Sequence, residues 1–350
     1  MISDRLKTLL YPLDQGTLSL PPNGSVLCLG AEAGLPLARA LDDAELVCVQ
    51  GFRPTFLALK RAGLKVVPEP EGMDYDAALV LCGKHRGQNE AWIAQALTRT
   101  RKGGLVIVGG AKTDGVVSLH KRLSQLATVA GRASKHHGLV FWLENDDDAK
   151  RYINDISSEK HIVNVEQDQP DISGAPLGFQ TASGMFSHQQ IDPGSRLLVQ
   201  CLPERLKGAA ADFCAGWGYL SVALALRDAA IKSIDLYEAD HASLEAARVN
   251  MASLVPEVAA RFFWHDLVGE DVSDRYDLIV LNPPFHAGRA AEPALGEAII
   301  ARAARCLKLG GRLFVVANRQ LPYERTLATG FAKVDKVAEQ DGFKVFCATR

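Results

Sequence analysis

The chain has 350 residues, more than one hydrophobic core usually serves, so two domains are expected. With 47% hydrophobic residues, 23% charged residues and a net charge of -2, it has the composition of an ordinary globular protein. Any contact with nucleic acid must therefore use a local basic patch, because the chain as a whole is not basic.

Cysteine usage and hydropathy exclude several classes of protein. The seven cysteines include no Cys-x-x-Cys pair, and Cys28, Cys48 and Cys82 lie in apolar runs, where free cysteine behaves as a small hydrophobic residue. This pattern argues for a reducing cytoplasm and against a disulfide framework or a metal site. Residues 1–16 lack the apolar core of a signal peptide, and no apolar run reaches the roughly 18 residues of a membrane span.

Strand-like and helix-like segments alternate along the first half of the chain. A buried strand and a glycine turn are predicted within 24–41, a second strand and helix within 45–63, an apolar strand within 74–84, and a glycine-bounded strand within 96–111. Such alternation predicts a mostly parallel sheet with helices on both faces.

The second half repeats this order. The corresponding segments are 209–226, 233–252, 275–285 and 292–318, before a terminal hairpin that turns at Asp341-Gly342. The helix that starts near residue 292 is expected to end at Gly310. Matching positions such as Tyr75 and Tyr276 lie roughly 200 residues apart, so the repetition predicts a duplication into two tandem Rossmann-like α/β domains.

The boundary between these domains is placed near residue 160, which gives domains 1–160 and 161–350. The polar run at 144–152 has the composition of a linker. Residues 168–195 are rich in proline, glycine and serine, which predicts a loop that opens the second domain.

Three elements of the second half predict a nucleotide-type cofactor. The segment 212–218, Asp-Phe-Cys-Ala-Gly-Trp-Gly, places a glycine turn between a strand and a helix, where Gly216 and Gly218 let a ligand approach the backbone. Glu238 ends the next strand, where a carboxylate can accept hydrogen bonds from both ribose hydroxyls. Asp266 follows a third strand-like run and could accept from an adenine amine, although a loop-capping role explains it equally well.

The strand at 275–281 ends in Asn282-Pro283-Pro284-Phe285, a turn that proline prevents from continuing the ladder. The Asn282 side-chain oxygen and the Pro283 carbonyl can converge on one point, which suits an amino group on a planar ring, and Phe285 offers a stacking face. Such an amine is a weak nucleophile. Two acceptors favour a pyramidal nitrogen whose lone pair can attack an activated methyl group.

These motifs in this order resemble the class I S-adenosylmethionine-dependent methyltransferases. The Asn-Pro-Pro-Phe-His run, together with a degraded N-terminal duplicate, resembles the bacterial ribosomal RNA small-subunit guanine-N2 methyltransferases. The motifs are specific over roughly 180–350, whereas the likeness over 1–160 rests on architecture. The resemblance implies methyl transfer from S-adenosylmethionine to a guanine N2 in 16S ribosomal RNA, within the small subunit, by a cytoplasmic monomer.

The resemblance also implies roles for individual residues. The cofactor would be bound by Asp212, Cys214, Gly216, Gly218, Glu238, Ala239, Asp266, Leu267 and Asn282. The target amine would be oriented by Asn282 and Pro283, and the guanine would be contacted by Pro284, Phe285 and His286. The family usually has glycine at the position of Cys214. If φ is positive there, a Cβ costs about 1 kcal/mol, so we expect a slightly reshaped turn around Cys214 and the bulky Trp217.

The first half lacks each chemical element. It has Cys28, Glu32 and Gln50 where Asp212, Gly216 and Glu238 stand, and 81–84 in place of the proline turn. A domain that kept its fold and lost its cofactor site is therefore predicted, with a role in substrate positioning. Candidate phosphate contacts are 83–87, 98–104 and 135–137, each of which could equally be a solvated basic surface.

Five other functions remain open from the sequence. The same two-acceptor chemistry serves adenine N6 or a protein glutamine amide, usually with Tyr in place of Phe, and large-subunit RNA is a second possible substrate for guanine methylation. A non-catalytic RNA-binding assembly factor would fit the first half alone. A nicotinamide oxidoreductase would leave the proline turn unexplained.

Overall fold

The computed structural model describes residues 2–35, 41, 43–148, 152–153, 160–165, 177–206, 208–227, 230–231, 233–284, 286–287, 290–291 and 293–350. For 160–165, 286–287 and 290–291 it describes the backbone alone. The chain divides into two compact units, Met1–Glu159 and Lys160–Arg350.

The first unit is built on one seven-stranded sheet. Its elements are α1 (Asp4–Asp14), β1 (Ser25–Leu29), β2 (Glu45–Val49), α2 (Arg53–Arg61), β3 (Lys65–Val67), β4 (Tyr75–Leu81), α3 (Arg86–Arg99), β5 (Thr100–Ala111), α4 (Val116–Leu123), β6 (Gly131–Ala133) and β7 (Gly138–Glu144). The strand order is β3-β2-β1-β4-β5-β7-β6. The first five strands in this order are parallel, and β7 runs antiparallel to both β5 and β6.

The second unit repeats this sheet and adds two hairpins. Its elements are β8 (Lys160–Val165), β9 (Leu177–Ala182), α5 (Pro193–Cys201), β10 (Ala210–Phe213), α6 (Tyr219–Arg227), β11 (Ser233–Glu238), α7 (His241–Leu254), β12 (Ala259–Trp264), β13 (Tyr276–Leu281), β14 (His286–Ala287), β15 (Ala290–Ala291), α8 (Pro293–Cys306), β16 (Leu307–Asn318), α9 (Tyr323–Gly330), β17 (Lys333–Gln340) and β18 (Phe343–Thr349). The strand order of the large sheet is β12-β11-β10-β13-β16-β18-β17, and the hairpins are β8-β9 and β14-β15.

The two sheets share irregularities as well as strand order. The register of β4 against β5 shifts between Tyr75 and Ala77, and that of β13 against β16 shifts between Tyr276 and Leu278. The two 12-residue strands β5 and β16 also have the same pattern of buried and exposed positions. A shared defect in the ladder is stronger evidence of duplication than a shared strand order, because the parallel fold does not require it.

A carboxylate stands at the same place in each register shift. Asp76 accepts a hydrogen bond from the Ser25 N–H at 2.9 Å, and Asp277 accepts one from the Ala209 N–H at 2.8 Å. Each carboxylate also forms an ion pair with a basic residue near the start of the following strand. The two domains therefore use the same polar clamp where their central strands begin.

Both units have the predicted α/β architecture, a mostly parallel sheet of seven strands with the same strand order. In the second sheet Leu278 and Val280 pack into the core on one face, and Ile279 and Leu281 pack into the core on the other. The terminal hairpin turns at Asp341 and Gly342 as predicted, both with positive φ. No helix in the described part of the chain is long and apolar enough to cross a membrane.

Two local predictions were wrong. Within the segment expected to be a loop, residues 177–182 form β9, because they pair with β8, whereas residues 166–176 lie outside the described part. Helix α8 ends at Cys306 rather than at Gly310, because β16 already begins at Leu307. Gly310, with φ of 76°, lies inside that strand next to its register shift.

Candidate active site

Four parallel strands of the second sheet end at one edge, and the predicted site segments follow them. Glu238 at the end of β11 pairs with Trp264 at the end of β12, and Phe213 at the end of β10 pairs with Leu281 at the end of β13. The glycine turn, the acidic residues and the proline turn are thereby brought together. Ligands of open α/β sheets bind at this carboxyl edge.

The two glycines of the turn have different tasks. Gly216 has φ of 54°, and a Cβ there would meet no atom within 4 Å, so this side of the turn is open to a ligand. Gly218 has φ of 91°, and its Cβ would lie 3.1 Å from the Ala247 Cβ. Gly218 therefore allows helix α7 to approach the turn closely.

Cys214 occupies a glycine-like conformation, with φ of 64°. A non-glycine residue in this left-handed region is strained by roughly 1–2 kcal/mol. Burial raises the pKa of its thiol well above the ordinary value, so the sulfur stays protonated. The sequence predicts a cost at Cys214 if its φ is positive, and the structure has this positive φ at a residue with a Cβ.

Trp217 does not fill the open side of the turn. Its ring is buried and packs edge-to-face against Phe179 with centroids 5.1 Å apart, and its Nε1 donates to the Phe186 carbonyl at 3.0 Å. The bulky residue between the glycines thus belongs to the core, and its side chain leaves the backbone of the turn accessible.

Glu238 is tied to the glycine turn through its carboxylate. Its Oε2 accepts from the Gly216 N–H at 2.8 Å, and its Oε1 accepts from the Asp240 N–H at 2.9 Å. Desolvation raises the pKa of Glu238 to about 7, although these backbone bonds oppose the shift. Each oxygen keeps a further lone pair, so the pair of ribose hydroxyls expected from the sequence fits this carboxylate.

Asp212 carries a buried oxygen that no described residue of the protein bonds. Its Oδ2 accepts from the Ser221 hydroxyl at 2.7 Å, whereas its Oδ1 has no hydrogen-bond partner among the residues that the structure describes. Burial raises the pKa of Asp212 to about 7. An unpaired carboxylate oxygen at the ligand edge is the feature that a cationic group of a ligand would satisfy.

The residues predicted to receive an adenine lie in a short turn after β12. Asp266 Oδ1 accepts from the Val268 N–H at 3.0 Å, so this carboxylate caps its own loop with one oxygen. The Leu267 side chain is buried. The Ala239 carbonyl accepts from Trp264 Nε1 at 2.8 Å, which ties the ends of β11 and β12 together.

Asn282 is held by two residues that lie about 90 positions earlier in the chain. Its side-chain nitrogen donates to Asp192 Oδ2 at 3.0 Å and to Ser195 Oγ at 2.7 Å. Pro283 is buried and Pro284 is exposed. Phe285 lies outside the described residues, and of His286 the structure describes the backbone, in β14.

Asp192 and Ser195 were not identified from the sequence as site residues, because residues 168–195 were interpreted as a loop. Asp192 is the N-cap of α5 and accepts from the Ser195 N–H at 2.7 Å, with Pro193 following it. The Asp-Pro-Gly-Ser pattern is a helix-start signal that could have located the helix. It could not have located the contact with Asn282.

The equivalent edge of the first unit is closed by the protein itself. Gln50, at the position of Glu238, donates its Nε2 to the Ala31 carbonyl at 2.6 Å and accepts from the Phe52 N–H at 2.8 Å. Glu32, at the position of Gly216, forms an ion pair with Arg5 at 2.8 Å. The first unit therefore has side chains that are hydrogen-bonded to its own backbone and to each other where the second unit has open backbone.

Comparison with known proteins agrees with this geometry. Residues 176–347 match the family described as methyltransferase small domain. The chain is 26% identical to the ribosomal RNA small subunit methyltransferase C of Psychromonas ingrahamii, over 79% of this chain and 76% of the relative. It is 27% identical to the protein of the same name from Idiomarina loihiensis, over 83% of this chain and 84% of the relative. The solved T. thermophilus 16S rRNA N2 methyltransferase RsmC, in complex with AdoMet and guanosine, matches with a TM-score of 0.79 and 26% identity, over 97% of this chain and 91% of that one.

The chain belongs to the class I S-adenosylmethionine-dependent methyltransferases. The resemblance deduced from the motifs is thereby confirmed, and S-adenosylmethionine is the cofactor of this family. The site fits it, because Gly216 leaves the backbone of the turn open, Glu238 offers two acceptors to a ribose, and the negative charge of the buried Asp212 carboxylate favours a cationic group.

We expect the affinity of this methyltransferase for S-adenosylmethionine to increase from about pH 6 to about pH 8. Asp212 and Glu238, both with a pKa of about 7, must lose protons to bind a cationic ligand and ribose hydroxyls best. Calorimetry in buffers of different ionisation enthalpy should detect proton release on binding. Glu238→Gln should weaken binding and flatten the pH profile, whereas Glu245→Gln, at a half-buried position on α7, should do neither. A pH-independent affinity in the wild type would contradict these roles.

The same raised pKa values affect the unliganded methyltransferase in the opposite direction. Between the ordinary carboxyl pKa near 4 and a folded-state pKa near 7, the folded protein holds protons that the unfolded chain releases. The contribution of these two groups to the stability of the free protein therefore decreases as the pH increases through that window, while the affinity for the ligand increases.

The strain at Cys214 predicts an unusual order of stability among variants. Cys214→Gly should be more stable than Cys214→Ala by about 1 kcal/mol, because both lose the sulfur and only alanine keeps the strained Cβ. Urea unfolding measures the difference. Gly30→Ala is the matched test in the first unit, where φ is 73° and a Cβ would lie 2.6 Å from Trp92, and it should be destabilising. Equal stability of the two Cys214 variants would show that the turn is relaxed.

Proposed function

We propose that this enzyme transfers a methyl group from S-adenosylmethionine to the exocyclic N2 of a guanine in 16S ribosomal RNA. The observation that carries the proposal is the state of Asn282: both of its amide N–H groups are engaged by protein, which leaves the amide oxygen to accept from a substrate. The names of the relatives, and the guanosine bound to the T. thermophilus enzyme, support guanine as the base.

In this proposal the chain itself orients the amine. Bound S-adenosylmethionine supplies a methyl group on a sulfonium, which is electrophilic without further activation. The Asn282 oxygen and the Pro283 carbonyl accept the two hydrogens of the guanine N2 and favour a pyramidal nitrogen. The N2 proton can leave after transfer, so no general base of high pKa is needed.

We further assign the base-binding surface to the residues after Asn282. Phe285 stacks on the guanine plane, with Pro284 and His286 beside it, as the family resemblance implies. A guanine reaches this turn only when it has left its stack or lies in a single-stranded loop. The substrate is therefore proposed to be an accessible loop nucleotide of the small subunit, methylated by a monomer in the cytoplasm.

The first unit is proposed to bind the RNA backbone. At the carboxyl edge of its sheet lie Lys84, His85, Lys112, Lys135, His136 and His137, all exposed, which we name the basic edge. The edge is one surface, because Ala111 at the end of β5 pairs with Gly138 at the start of β7, and the Lys112 N–H donates to the His137 carbonyl at 3.2 Å.

Ion pairing distinguishes this edge from the remaining basic segment predicted from the sequence, 98–104. In 98–104, Arg101 pairs with Asp76 and Lys102 with Asp147, at the opposite end of the sheet where β5 begins. At the basic edge the nearby Glu32 carboxylate is engaged by Arg5. The lysines there keep their charge for an external anion, which supports phosphate binding.

Methyl transfer from radiolabelled S-adenosylmethionine tests the reaction. Small-subunit particles, large-subunit particles and naked RNAs would be offered in parallel, followed by digestion to nucleosides. We expect label in N2-methylguanosine from the small subunit. Asn282→Ala should lower turnover by about 10²-fold or more with little change in cofactor affinity, because a positioned acceptor is lost.

Three results of this assay would contradict the proposal. Label in N6-methyladenosine would show that the enzyme uses the cofactor but methylates adenine instead of guanine. Label confined to the large subunit would show that the substrate is large-subunit RNA. Loss of cofactor binding in Asn282→Ala equal to the loss of turnover would show that Asn282 serves the cofactor rather than the amine. Glu238→Gln provides the contrast, since its defect should be in cofactor binding first.

The basic edge predicts a defect in RNA binding alone. The combined Lys84→Glu, Lys112→Glu and Lys135→Glu variant should raise the KM for RNA by about 10-fold at moderate salt and reduce the salt dependence of binding. Its affinity for S-adenosylmethionine should not change. The matched control replaces Lys60, Arg61 and Lys65 with glutamate; these residues lie exposed near the other end of the same sheet. Equal effects of the two triple variants would show that RNA binding depends on total charge, and would contradict a specific role of the basic edge.

A further inference from the structure

We propose that Asp192 and Ser195 are positioning residues that fix the orientation of the Asn282 amide, so that its oxygen faces the target amine. This inference rests on the proposed function, since it explains how that acceptor is held. The three side chains form one polar group in which Asp192 and Ser195 are buried, at 8% and 7% exposed, and Asn282 is half-buried.

The hydrogen bonds allow one orientation of the amide. Asn282 donates from its nitrogen to Asp192 Oδ2 at 3.0 Å and to Ser195 Oγ at 2.7 Å, which uses both N–H groups. A flipped amide would place its oxygen against the Asp192 carboxylate and break a charge-assisted bond in a partly buried site. The acceptor oxygen is therefore directed away from Asp192 before any substrate arrives.

The first turn of α5 is the rigid support for this arrangement. Asp192 caps the helix by accepting from the Ser195 N–H at 2.7 Å, and the positive helix end stabilises its negative charge. A Cβ on Gly194 would lie 2.9 Å from the Phe343 ring and 3.1 Å from Asp192 Oδ2, so glycine lets the turn pack tightly there. The carboxylate is thus fixed from the helix and from β18.

The negative charge of Asp192 also strengthens the acceptor. Donation from the amide nitrogen to a carboxylate polarises the amide and increases the electron density on its oxygen. The hydrogen bond from the guanine amine to that oxygen becomes stronger as a result. Asp192 would therefore act on the reaction through Asn282, without contact to the substrate.

Single substitutions give the first test. Asp192→Ala should lower kcat by about 10²-fold and Ser195→Ala by about 10-fold, because a loosely oriented acceptor loses most of its contribution. The affinity for S-adenosylmethionine should change by less than about 2-fold. Ser195→Thr retains the hydroxyl and should recover most of the activity, whereas Asp192→Asn retains an acceptor oxygen without the charge and should recover part of it. In the Asn282→Ala background, Asp192→Ala should cause no further loss.

Exchange of the partners separates orientation from simple packing. Asn282→Asp alone should be inactive, because two carboxylates would face each other. Combined with Asp192→Asn, which removes one of the two facing negative charges, it should regain at least about 10-fold in kcat. Ser3→Ala, which removes the N-cap of α1 in the first unit, controls for the loss of a helix cap. If that control lowers kcat as Asp192→Ala does, or if the exchange restores nothing, the inference is overturned.

A readout without catalysis distinguishes this inference from the proposed reaction. In selectively asparagine-labelled protein, the Asn282 side-chain amide should exchange its hydrogens slowly, and faster in Asp192→Ala and Ser195→Ala. Unchanged exchange in both variants would overturn the positioning role, whichever acceptor the enzyme methylates. Accelerated exchange in an enzyme that labels no guanine N2 would instead overturn the proposed substrate and leave the positioning role in place.

Discussion

The hydrogen bond from the Gly216 N–H to the Glu238 carboxylate, 2.8 Å long, joins the ends of two neighbouring strands, and the rest of the cofactor site depends on it. It requires a backbone that is open at Gly216 and an acceptor at the end of β11. It fixes the carboxylate beside the turn, where desolvation raises the pKa of Glu238 to about 7. A carboxylate held by two backbone donors is preorganised, since each oxygen already points one lone pair at protein and keeps another for a ligand.

The first unit shows what happens when the direction of this bond is reversed. Gln50 takes the place of Glu238, and its nitrogen donates to the Ala31 carbonyl. An amide can satisfy that carbonyl, yet it cannot offer two charged acceptors to a ribose. Glu32 then occupies the position of the open glycine and pairs with Arg5. The domain kept its ladder, its register shift and its polar clamp at Asp76, so the fold survived because those features do not involve the cofactor edge.

The sequence predicted the elements that depend on local chemistry. The glycine turn, the acid after the second strand and the proline stop after β13 could be located because each follows a buried strand, and parallel strands bring their ends together. Asp192 could not be assigned in this way, since its partner Asn282 is distant in the chain and the contact depends on where α5 packs. The strain at Cys214 was foreseen as a condition, but a positive φ depends on the whole turn. β9 was missed because its pairing partner, and not its composition, makes it a strand.

The distribution of charge gives a reason for retaining two domains. The catalytic edge holds the carboxylates of Asp212, Glu238 and Asp192 with little exposed surface, which suits a cationic cofactor. The same negative charge repels an RNA backbone, and the effect is strongest where the carboxylates are least screened. A single domain would therefore have to attract a cation and a polyanion at one edge. A duplicated domain that has lost the two cofactor carboxylates, pairs its Glu32 with Arg5 and presents lysines at the corresponding edge can supply the attraction for phosphate without weakening the cofactor site.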